Sequence, residues 1–316
     1  MKILASYLLD LILGDPEISF HPVRIMGLII SREERIVEKI CRSPIELRIA
    51  GLVMVFFTVI VVYLSTLFII GIAGKFGEIP KNLCEILLIY TTVSVKGLVD
   101  AGRSVLIPLE KSDIEEARRR LSFIVSRDTE NLPEREIIRG VLESLSENIC
   151  DGIVAPLFYA FIGGAPLAMV YKAINTLDSM VGYKREIYIH LGYFPAKTDD
   201  IVNFIPARIA GIMIVLSSWF LGYNWRNSLR IFLRDRLNHE SPNSAHGMAA
   251  LSGALGVRLG GPTIYHSEIV YRPYIGDPYV ELAPRHINDA ICIVYASSFL
   301  ALVFLYFVKF LVEAIF

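Results

Sequence analysis

The feature that most constrains this chain is a long segment without charge. Residues 49–73 contain no charged side chain, and Arg48 and Lys75 flank them. About 20 apolar residues are enough for a helix to cross a bilayer core roughly 30 Å thick. A buried helix of a soluble protein seldom runs this long without a charge. The segment therefore predicts a transmembrane helix.

Other apolar segments predict additional spans, and they cover residues 86–95, 152–171, 209–225 and 290–308. Residues 86–95 could be the centre of a span or a core helix. Residues 152–171 include Pro156, Gly163, Gly164 and Pro166, which predict a kinked span or a re-entrant pair of half-helices. With 54% hydrophobic residues, 20% charged residues and a mean hydropathy of +0.52, the composition agrees. We expect an all-α, multi-pass integral membrane protein of about four to six spans, one broken or re-entrant, forming a single membrane-embedded domain over residues 1–316.

Charge and cysteine usage narrow the class of protein. A net charge of -1 gives no reason to expect a nucleic-acid partner. The four cysteines form no CxxC pair, so neither a disulfide framework nor a zinc site is indicated. Most Lys and Arg residues fall on the side of the predicted spans that carries the N-terminus, which predicts a cytoplasmic N-terminus in the cell membrane and contact with membrane lipid.

The polar segments between the spans have their own patterns. Residues 112–128 and 133–150 predict helices, and residues 237–284, rich in Gly and Pro, predict mainly loop. Arg226, Arg230 and Arg234 recur every four residues, which favours a stripe along anionic lipid headgroups. The glycines of residues 253–262 permit close approach of a ligand to the backbone, but they match neither a Walker A loop nor a GxGxxG fingerprint.

Near the N-terminus, Asp15, His21 and Arg24 stand beside two prolines that stiffen the backbone. These side chains could belong to a functional site, or they could form a surface turn that caps the helix starting near Val23. The sequence alone leaves both interpretations open.

A second constellation consists of Glu143, Glu147 and Asp151, which are spaced by four residues and so share one face of a helix. Stacked carboxylates repel one another. A solvated helix face tolerates this repulsion, but at the end of an apolar span it favours a cation site, and Mg²⁺ commonly uses one or two carboxylates together with substrate phosphates. The prediction is strongest for Glu147 and Asp151.

Two further segments follow the broken apolar run. Lys172, Asn175 and Asp178 are three residues apart and predict either a functional group at a span end or a structural Lys172–Asp178 contact. Asp199 and Asp200 precede Asn203 and Arg208. An acidic pair with an amide and a guanidinium suits metal-bridged phosphate binding, whereas a helix N-cap at Thr198 or Asp199 is the structural alternative.

These segments, in this order, resemble the adenosylcobinamide-phosphate synthase family of cobalamin biosynthesis, the CbiB/CobD membrane proteins. The motifs are GDPEISFHPVRIMG, ESLSENICDGIVAPLFYA, GGAPLAMVYKAINTLDSMVGYK, DDIVNFIPARI, and SPN followed by GALGVRLGGP. The chain departs from the family pattern at Ser244-Ala245-His246-Gly247, where Ala-Gly often follows SPN.

The resemblance implies ATP-dependent joining of a carboxylate of adenosylcobyric acid to the amine of aminopropanol or its phosphate ester. Fitted to this chemistry, Glu147, Asp151, Asp199 and Asp200 are expected to hold Mg²⁺, and His21 or Asp178 to act as base with Lys172 as a catalytic cation. The remaining candidate substrate-binding residues are Asp15, Arg24, Asn148, Asn175, Lys184, Asn203, Arg208, Asn243 and Arg258.

Two other classes remain open at this level. A Mg²⁺-dependent intramembrane prenyltransferase also uses Asp and Asn at helix ends, although no repeated aspartate-rich pair appears here. A corrinoid transporter fits the helix break at Gly163-Gly164, although no inverted repeat is visible. A five-span topology places Lys172 opposite Asn243, and a re-entrant topology sends Asn243 outside, so sidedness is a further open question.

Overall fold

A computed structural model describes residues 1–15, 21–182, 188–265 and 268–315. In this part of the chain helices dominate. They are α1 (Lys2–Leu13), α2 (Pro22–Ile40), α3 (Pro44–Lys75), α4 (Glu78–Tyr90), α5 (Val95–Glu110), α6 (Ile114–Leu121), α7 (Glu134–Ile149), a π-turn (Cys150–Val154), α8 (Ala155–Val181), α9 (Tyr188–Leu191), α10 (Tyr193–Val202), α11 (Phe204–Phe220), α12 (Trp225–Asp235), α13 (Ser244–Leu255) and α14 (Arg285–Ile315). The short strands are β1 (Leu259–Gly260), β2 (Thr263–Tyr265), β3 (Glu268–Val270) and β4 (Tyr274–Ile275).

The strands form two antiparallel pairs. Leu259 lies opposite Ile275 in the β1–β4 pair, and Ile264 lies opposite Ile269 in the β2–β3 pair. Both pairs lie in the segment after α13, so the fold remains helical in class.

The chain divides into two compact units. Unit 1 comprises Met1–Ser94 and Ala155–Asn203, and unit 2 comprises Val95–Val154 and Phe204–Phe316. In unit 1, a core cluster including Ile30, Met54 and Leu177 packs α2, α3 and α8 together. In unit 2, α13 packs against α7, α11 and α12.

Among the residues that the structure describes, four helical segments are long and apolar enough to cross a membrane: Pro44–Lys75, Glu78–Glu110, Glu134–Val181 and Arg285–Ile315. The pair Tyr193–Val202 and Phe204–Phe220, broken at Asn203, would count as one more. The prediction of an all-α multi-pass membrane protein is therefore confirmed. Most of the outer surface of α3 consists of exposed apolar side chains such as Phe56, Phe57 and Phe68, as expected for a face that contacts lipid.

Local sequence signals explain where α3 begins. The Ser43 hydroxyl accepts from the Glu46 N–H, and the Glu46 carboxylate accepts from the Ser43 N–H, which is a capping box. Pro44 occupies the first turn, where no intrahelical N–H bond is needed. The charge-free run then continues the helix as far as Lys75.

The predicted break in the apolar segment 152–171 is present at Gly163 and Gly164. Gly164 has φ 63°, a left-handed value that a residue with Cβ rarely adopts. Segment α8 therefore consists of two half-helices, one on each side of these glycines. Whether they form a kinked span or a re-entrant loop stays a prediction.

Three boundaries predicted from the sequence were wrong. The helix expected over residues 112–128 is limited to α6, because the chain turns directly after Leu121. The span expected over residues 209–225 ends at Phe220, and Trp225 begins a new helix capped by Asn224. The expected loop over residues 237–284 contains α13, which is buried from Ala245 to Leu255 and so lacks the polar face that signals a helix.

Candidate functional site

In unit 1, α8 and α10 bring together a carboxylate–amide cluster, consisting of Asn175, Asp178, Asp199, Asp200 and Asn203. Asn175 Nδ2 donates to Asp199 Oδ1 at 3.3 Å, and Asn203 Nδ2 donates to Asp199 Oδ2 at 3.0 Å. The two amides hold the Asp199 carboxylate in one orientation, because each of its oxygens accepts a hydrogen bond.

Two tyrosines, Tyr171 and Tyr159, fix the position of Asn203 and of the end of α10. The Tyr171 hydroxyl donates to Asn203 Oδ1 at 2.9 Å, so the direction of the Asn203 amide is fixed. The Tyr171 ring stacks on Tyr159 with centroids 5.2 Å apart, and the Tyr159 hydroxyl donates to the Val202 carbonyl at 2.9 Å. Thr198 and Asp199 lie within α10, and the alternative that one of them caps a helix is therefore wrong.

Asp178 lies in the same cluster, on α8. The charges acting on it include those of Asp199 and Asp200, which lie close by. Asp200 itself lies 3.5 Å from Lys197 Nζ on the same helix. Within the described ranges no hydrogen-bond donor contacts the Asp178 carboxylate, although its side chain is partly buried.

The N-terminal residues also belong to unit 1. His21 caps α2, with Nδ1 accepting from the Val23 N–H at 3.3 Å and Nε2 lying 3.0 Å from Asp15 Oδ1. This arrangement places the proton of the neutral ring on Nε2. Burial lowers the pKa of His21, Asp15 opposes the shift, and the charges of Arg24 and Lys172 add to it. The capping interpretation of this turn is thus confirmed for His21.

Unit 2 contains the other predicted carboxylates. The charges acting on Glu147 are those of Glu143, Arg272 and Arg127, and the Ser244 hydroxyl donates to its carboxylate. Asp151 lies in the π-turn, beyond the α-helical spacing that groups Glu143 with Glu147. Such turns interrupt helices frequently at functional sites.

Glu143 has a structural role that its spacing did not indicate. It forms a buried ion pair with Arg127, its Oε1 accepts from the Gly260 N–H at 2.8 Å, and it lies 3.7 Å from Arg139 Nε. Arg139 in turn donates to the carbonyls of Gly260 and Pro262, each at 2.8 Å. We call Arg127, Arg139 and Glu143 the loop anchor, because they hold the segment that carries β1.

The glycines of that segment serve backbone packing. A Cβ on Gly260 would lie 2.3 Å from the Pro273 carbonyl oxygen, and one on Gly261 would lie 2.2 Å from the Tyr274 ring. Approach to a ligand is therefore not what requires these glycines. On α12, Arg230 and Arg234 form ion pairs with Asp277 and stay about half exposed, and the headgroup stripe stays a prediction.

A cluster of two arginines and a histidine lies at the start of α13 and consists of Arg208, Arg236 and His246. Arg208 donates to Asn243 Oδ1 at 3.4 Å and to the Phe204 carbonyl, and its guanidinium stacks on the Phe204 ring. His246 is completely buried, and burial together with Arg208 and Arg236 lowers its pKa to about 4. At neutral pH the imidazole is uncharged.

Three other predicted residues lie apart from these clusters or outside the described ranges. Asn148 is exposed and donates to Ser144 on its own helix. Arg258 stacks on Tyr274, with its guanidinium 4.1 Å from the ring centroid. Lys184 lies outside the described residues.

The expected magnesium ligands are split between the units, Asp199 and Asp200 in unit 1, Glu147 and Asp151 in unit 2. In the described parts of the chain no group of three or more His, Cys, Asp or Glu side chains is arranged to hold a metal ion. Mg²⁺ can be held by one or two carboxylates with phosphate oxygens completing the shell. The donors present fit that mode of binding, and the magnesium assignment stays a prediction.

Sequence reasoning missed Arg236, His246 and the two arginines of the loop anchor, and it grouped Glu143 with a cation site. His246 carried one signal, since it stands where the motif departs from the family pattern. Arg127 and Arg236 had none, because they become important only through contacts with residues distant in the sequence.

Comparison with known proteins supplies the identity. The model of the CobD/Cbib protein family matches residues 3–294. Cobalamin biosynthesis protein CobD of Clostridium perfringens is 45% identical over 315 residues, covering 100% of this chain and 99% of the relative. CobD of Citrobacter koseri is 43% identical over 94% of this chain and 93% of the relative, and CbiB of Salmonella typhimurium is 42% identical over 96% and 97%.

No solved structure matches the chain. The family match covers nearly the whole chain, and the motifs that carry it lie on the helices just described. The chain belongs to the CobD/CbiB family of cobalamin biosynthesis proteins.

Proposed function

We propose that this membrane protein catalyses ATP-dependent amide bond formation between a carboxylate of adenosylcobyric acid and the amine of aminopropanol or its O-phosphate. The product is adenosylcobinamide or its phosphate. Family membership supports a role in cobalamin biosynthesis, and the observation that carries the chemistry is the carboxylate–amide cluster, with Asp199 oriented by two amides and its charge acting on Asp178.

The reaction consists of two transfers. A carboxylate oxygen of the corrinoid attacks the γ-phosphorus of ATP, an O–P bond forms, and ADP leaves. The amine nitrogen then attacks the acyl carbon, a C–N bond forms, the C–O bond to phosphate breaks, and inorganic phosphate leaves. Bound Mg²⁺ would neutralise phosphate charge, with Asp199 and Asp200 or Glu147 and Asp151 as its ligands.

The amine must lose a proton when it attacks, and His21 and Asp178 are the two candidate bases. The Nδ1 lone pair of His21 already accepts from the Val23 N–H. The Asp178 carboxylate, in contrast, accepts no hydrogen bond from a described residue. We therefore assign the general base to Asp178 and a positioning role to His21, which holds the start of α2 near Lys172 and Asp15.

The assignment of the carboxylates is tested by substitution. In nanodiscs with ATP, Mg²⁺, adenosylcobyric acid and each amine, Asp151→Ala and Asp200→Ala should abolish amide formation while the protein stays folded and inserted. ADP release and product mass measure the reaction. Glu115→Ala is the matched control, since its side chain is 84% exposed on α6. Wild-type rates in both variants would refute the magnesium assignment.

The same assay examines the wider proposal. Formation of the amide by the wild-type protein, dependent on ATP, supports it. Incorporation of a radiolabelled isoprenyl diphosphate would favour the prenyltransferase instead. Corrinoid uptake into proteoliposomes without an ATP-dependent product would favour the transporter.

A further inference from the structure

The N-terminus of α13 lacks the side-chain cap that such helix ends usually have. Its N-cap residue is Asn243, which makes no side-chain cap hydrogen bond. Asn243 Oδ1 instead accepts from Arg208. The first N–H groups of a helix have no acceptor within the helix and form the positive end of its dipole. This end is therefore suited to an anion.

Two arginines of unit 2 lie at this helix end. The guanidinium groups of Arg208 and Arg236 are close enough for their charges to act on each other and on His246. Across the described ranges neither arginine forms an ion pair with Asp or Glu. Like charges held together in this way repel each other, and a shared anion removes the repulsion.

His246 gives a second, independent indication of a ligand. Its side chain is 0% exposed, and neither ring nitrogen makes a well-formed hydrogen bond to a described residue, although the Asn243 backbone lies near the ring. The Nε atom of Arg236 is likewise buried without a partner in the described chain. Buried polar atoms in folded proteins are nearly always hydrogen bonded, so the His246 N–H and the Arg236 Nε–H point to an acceptor group that is absent from the protein itself.

We propose that the N-terminus of α13, Arg208, Arg236 and His246 form a binding site for a phosphate group of a substrate. Arginine and backbone N–H groups at a helix end are the donors that phosphate oxygens prefer. The neutral imidazole adds one N–H donor. The identity of the phosphate rests on the proposed function, where it belongs either to ATP or to phosphorylated aminopropanol.

A nearby carboxylate fits the same ligand. Glu147 accepts from the hydroxyl of Ser244, the first residue of α13. A carboxylate this close to a bound phosphate is suited to share a divalent cation with it. Glu147 therefore belongs to the magnesium pool on structural grounds within unit 2 alone.

Direct binding tests this site without any turnover. Purified protein is titrated with inorganic phosphate, with ATP and with aminopropanol phosphate, and the Kd of each is measured. Arg236→Gln and His246→Gln should weaken binding roughly 10- to 100-fold, as expected for loss of a hydrogen bond to a charged group. Arg226→Gln is the matched control, since it removes one exposed positive charge from α12 outside the cluster, and its Kd should stay unchanged.

The Kd values of the Arg236→Gln and His246→Gln variants distinguish the two sources of phosphate. A rise for ATP alone assigns the site to the nucleotide, and a rise for aminopropanol phosphate alone assigns it to the amine. Equal weakening in Arg226→Gln and Arg236→Gln would overturn the proposal, because the effect would then be one of net charge.

A second measurement uses only the wild-type protein, so it remains valid if a variant fails to fold. Phosphate should slow modification of Arg236 by phenylglyoxal, read by peptide mass, but not that of Arg226, and equal rates with and without phosphate would overturn the proposal. An amide-forming protein that binds none of the three ligands here refutes the site and leaves the function intact. Phosphate binding at the site without amide formation refutes the function and leaves the site.

Discussion

The loop anchor provides the sharpest test of the structural reasoning. Glu143 and Arg127 have side chains only 8% and 6% exposed, and Glu143 also binds the Gly260 N–H. Glu143→Gln retains an oxygen acceptor for Gly260 but leaves Arg127 without its counter-charge, whereas Arg139 keeps its ion pair with Glu136. Removing one partner of a buried ion pair typically costs about 3–5 kcal/mol. Because one hydrogen bond survives, we expect a loss of about 3 kcal/mol in the free energy of unfolding.

The assay is equilibrium unfolding in mixed micelles of rising SDS content, followed by circular dichroism. Glu115→Gln is the control, because its ion pair with Arg118 lies at the surface and its side chain is 84% exposed. A surface pair contributes about 0–1 kcal/mol. Equal losses in the two variants would refute the assigned role of Glu143.

A double variant separates the ion pair from its surroundings. Combining Glu143→Gln with Arg127→Gln removes both charges of the pair, so the double variant should lose less stability than the sum of the two single variants. Contacting residues commonly differ from additivity by about 0.5–3 kcal/mol. Strict additivity would show that the two side chains act independently.

Three other predictions concern packing, protonation and sidedness. Gly211→Ala should destabilise the protein by about 1–3 kcal/mol in the same unfolding assay, because the new Cβ would lie 2.3 Å from the Phe232 ring. Gly71→Ala is the control and should be neutral or stabilising, because its new Cβ would have no atom within 4 Å. Equal losses of stability in the two variants would contradict the packing around Gly211. The pKa of His246 is lowered from 6.5 to about 4, so between these pH values the unfolded chain binds more protons than the folded protein. The free energy of unfolding should therefore fall as the pH drops through that range. His246→Gln should flatten this pH dependence, and an unchanged pH profile in the variant would contradict the prediction. Cysteines introduced at Asp151, Asp200 and Asn243 should all be shielded from an impermeant maleimide in intact cells and labelled after lysis, because a cytoplasmic active site requires this. Labelling of any one of them in intact cells would contradict a cytoplasmic active site.

The candidate site shows where sequence reasoning works and where it stops. The spacing of Asn175 and Asp178 placed both on one side of a helix, and the structure adds Asp199, which accepts from Asn175 and from Asn203 and whose charge acts on Asp178. Spacing also grouped Glu143 with Glu147, yet only Glu143 anchors the glycine segment. The period of a helix gives the face of a residue, but it does not show which distant segment packs against that face.

The sequence by itself determined the membrane-spanning character, because a charge-free run such as 49–73 has a favourable environment only in a bilayer or a deep core. It also determined the break at Gly163-Gly164, since backbone conformation at glycine is a local property, and it identified the family through long motifs. Only the tertiary structure decided that α13 is a helix, because a segment buried on all sides has no amphipathic pattern to read. Likewise, only tertiary contacts bring Arg236 to His246 and Arg127 to Glu143, because electrostatic partners are chosen by distance in space, which the order of residues does not contain.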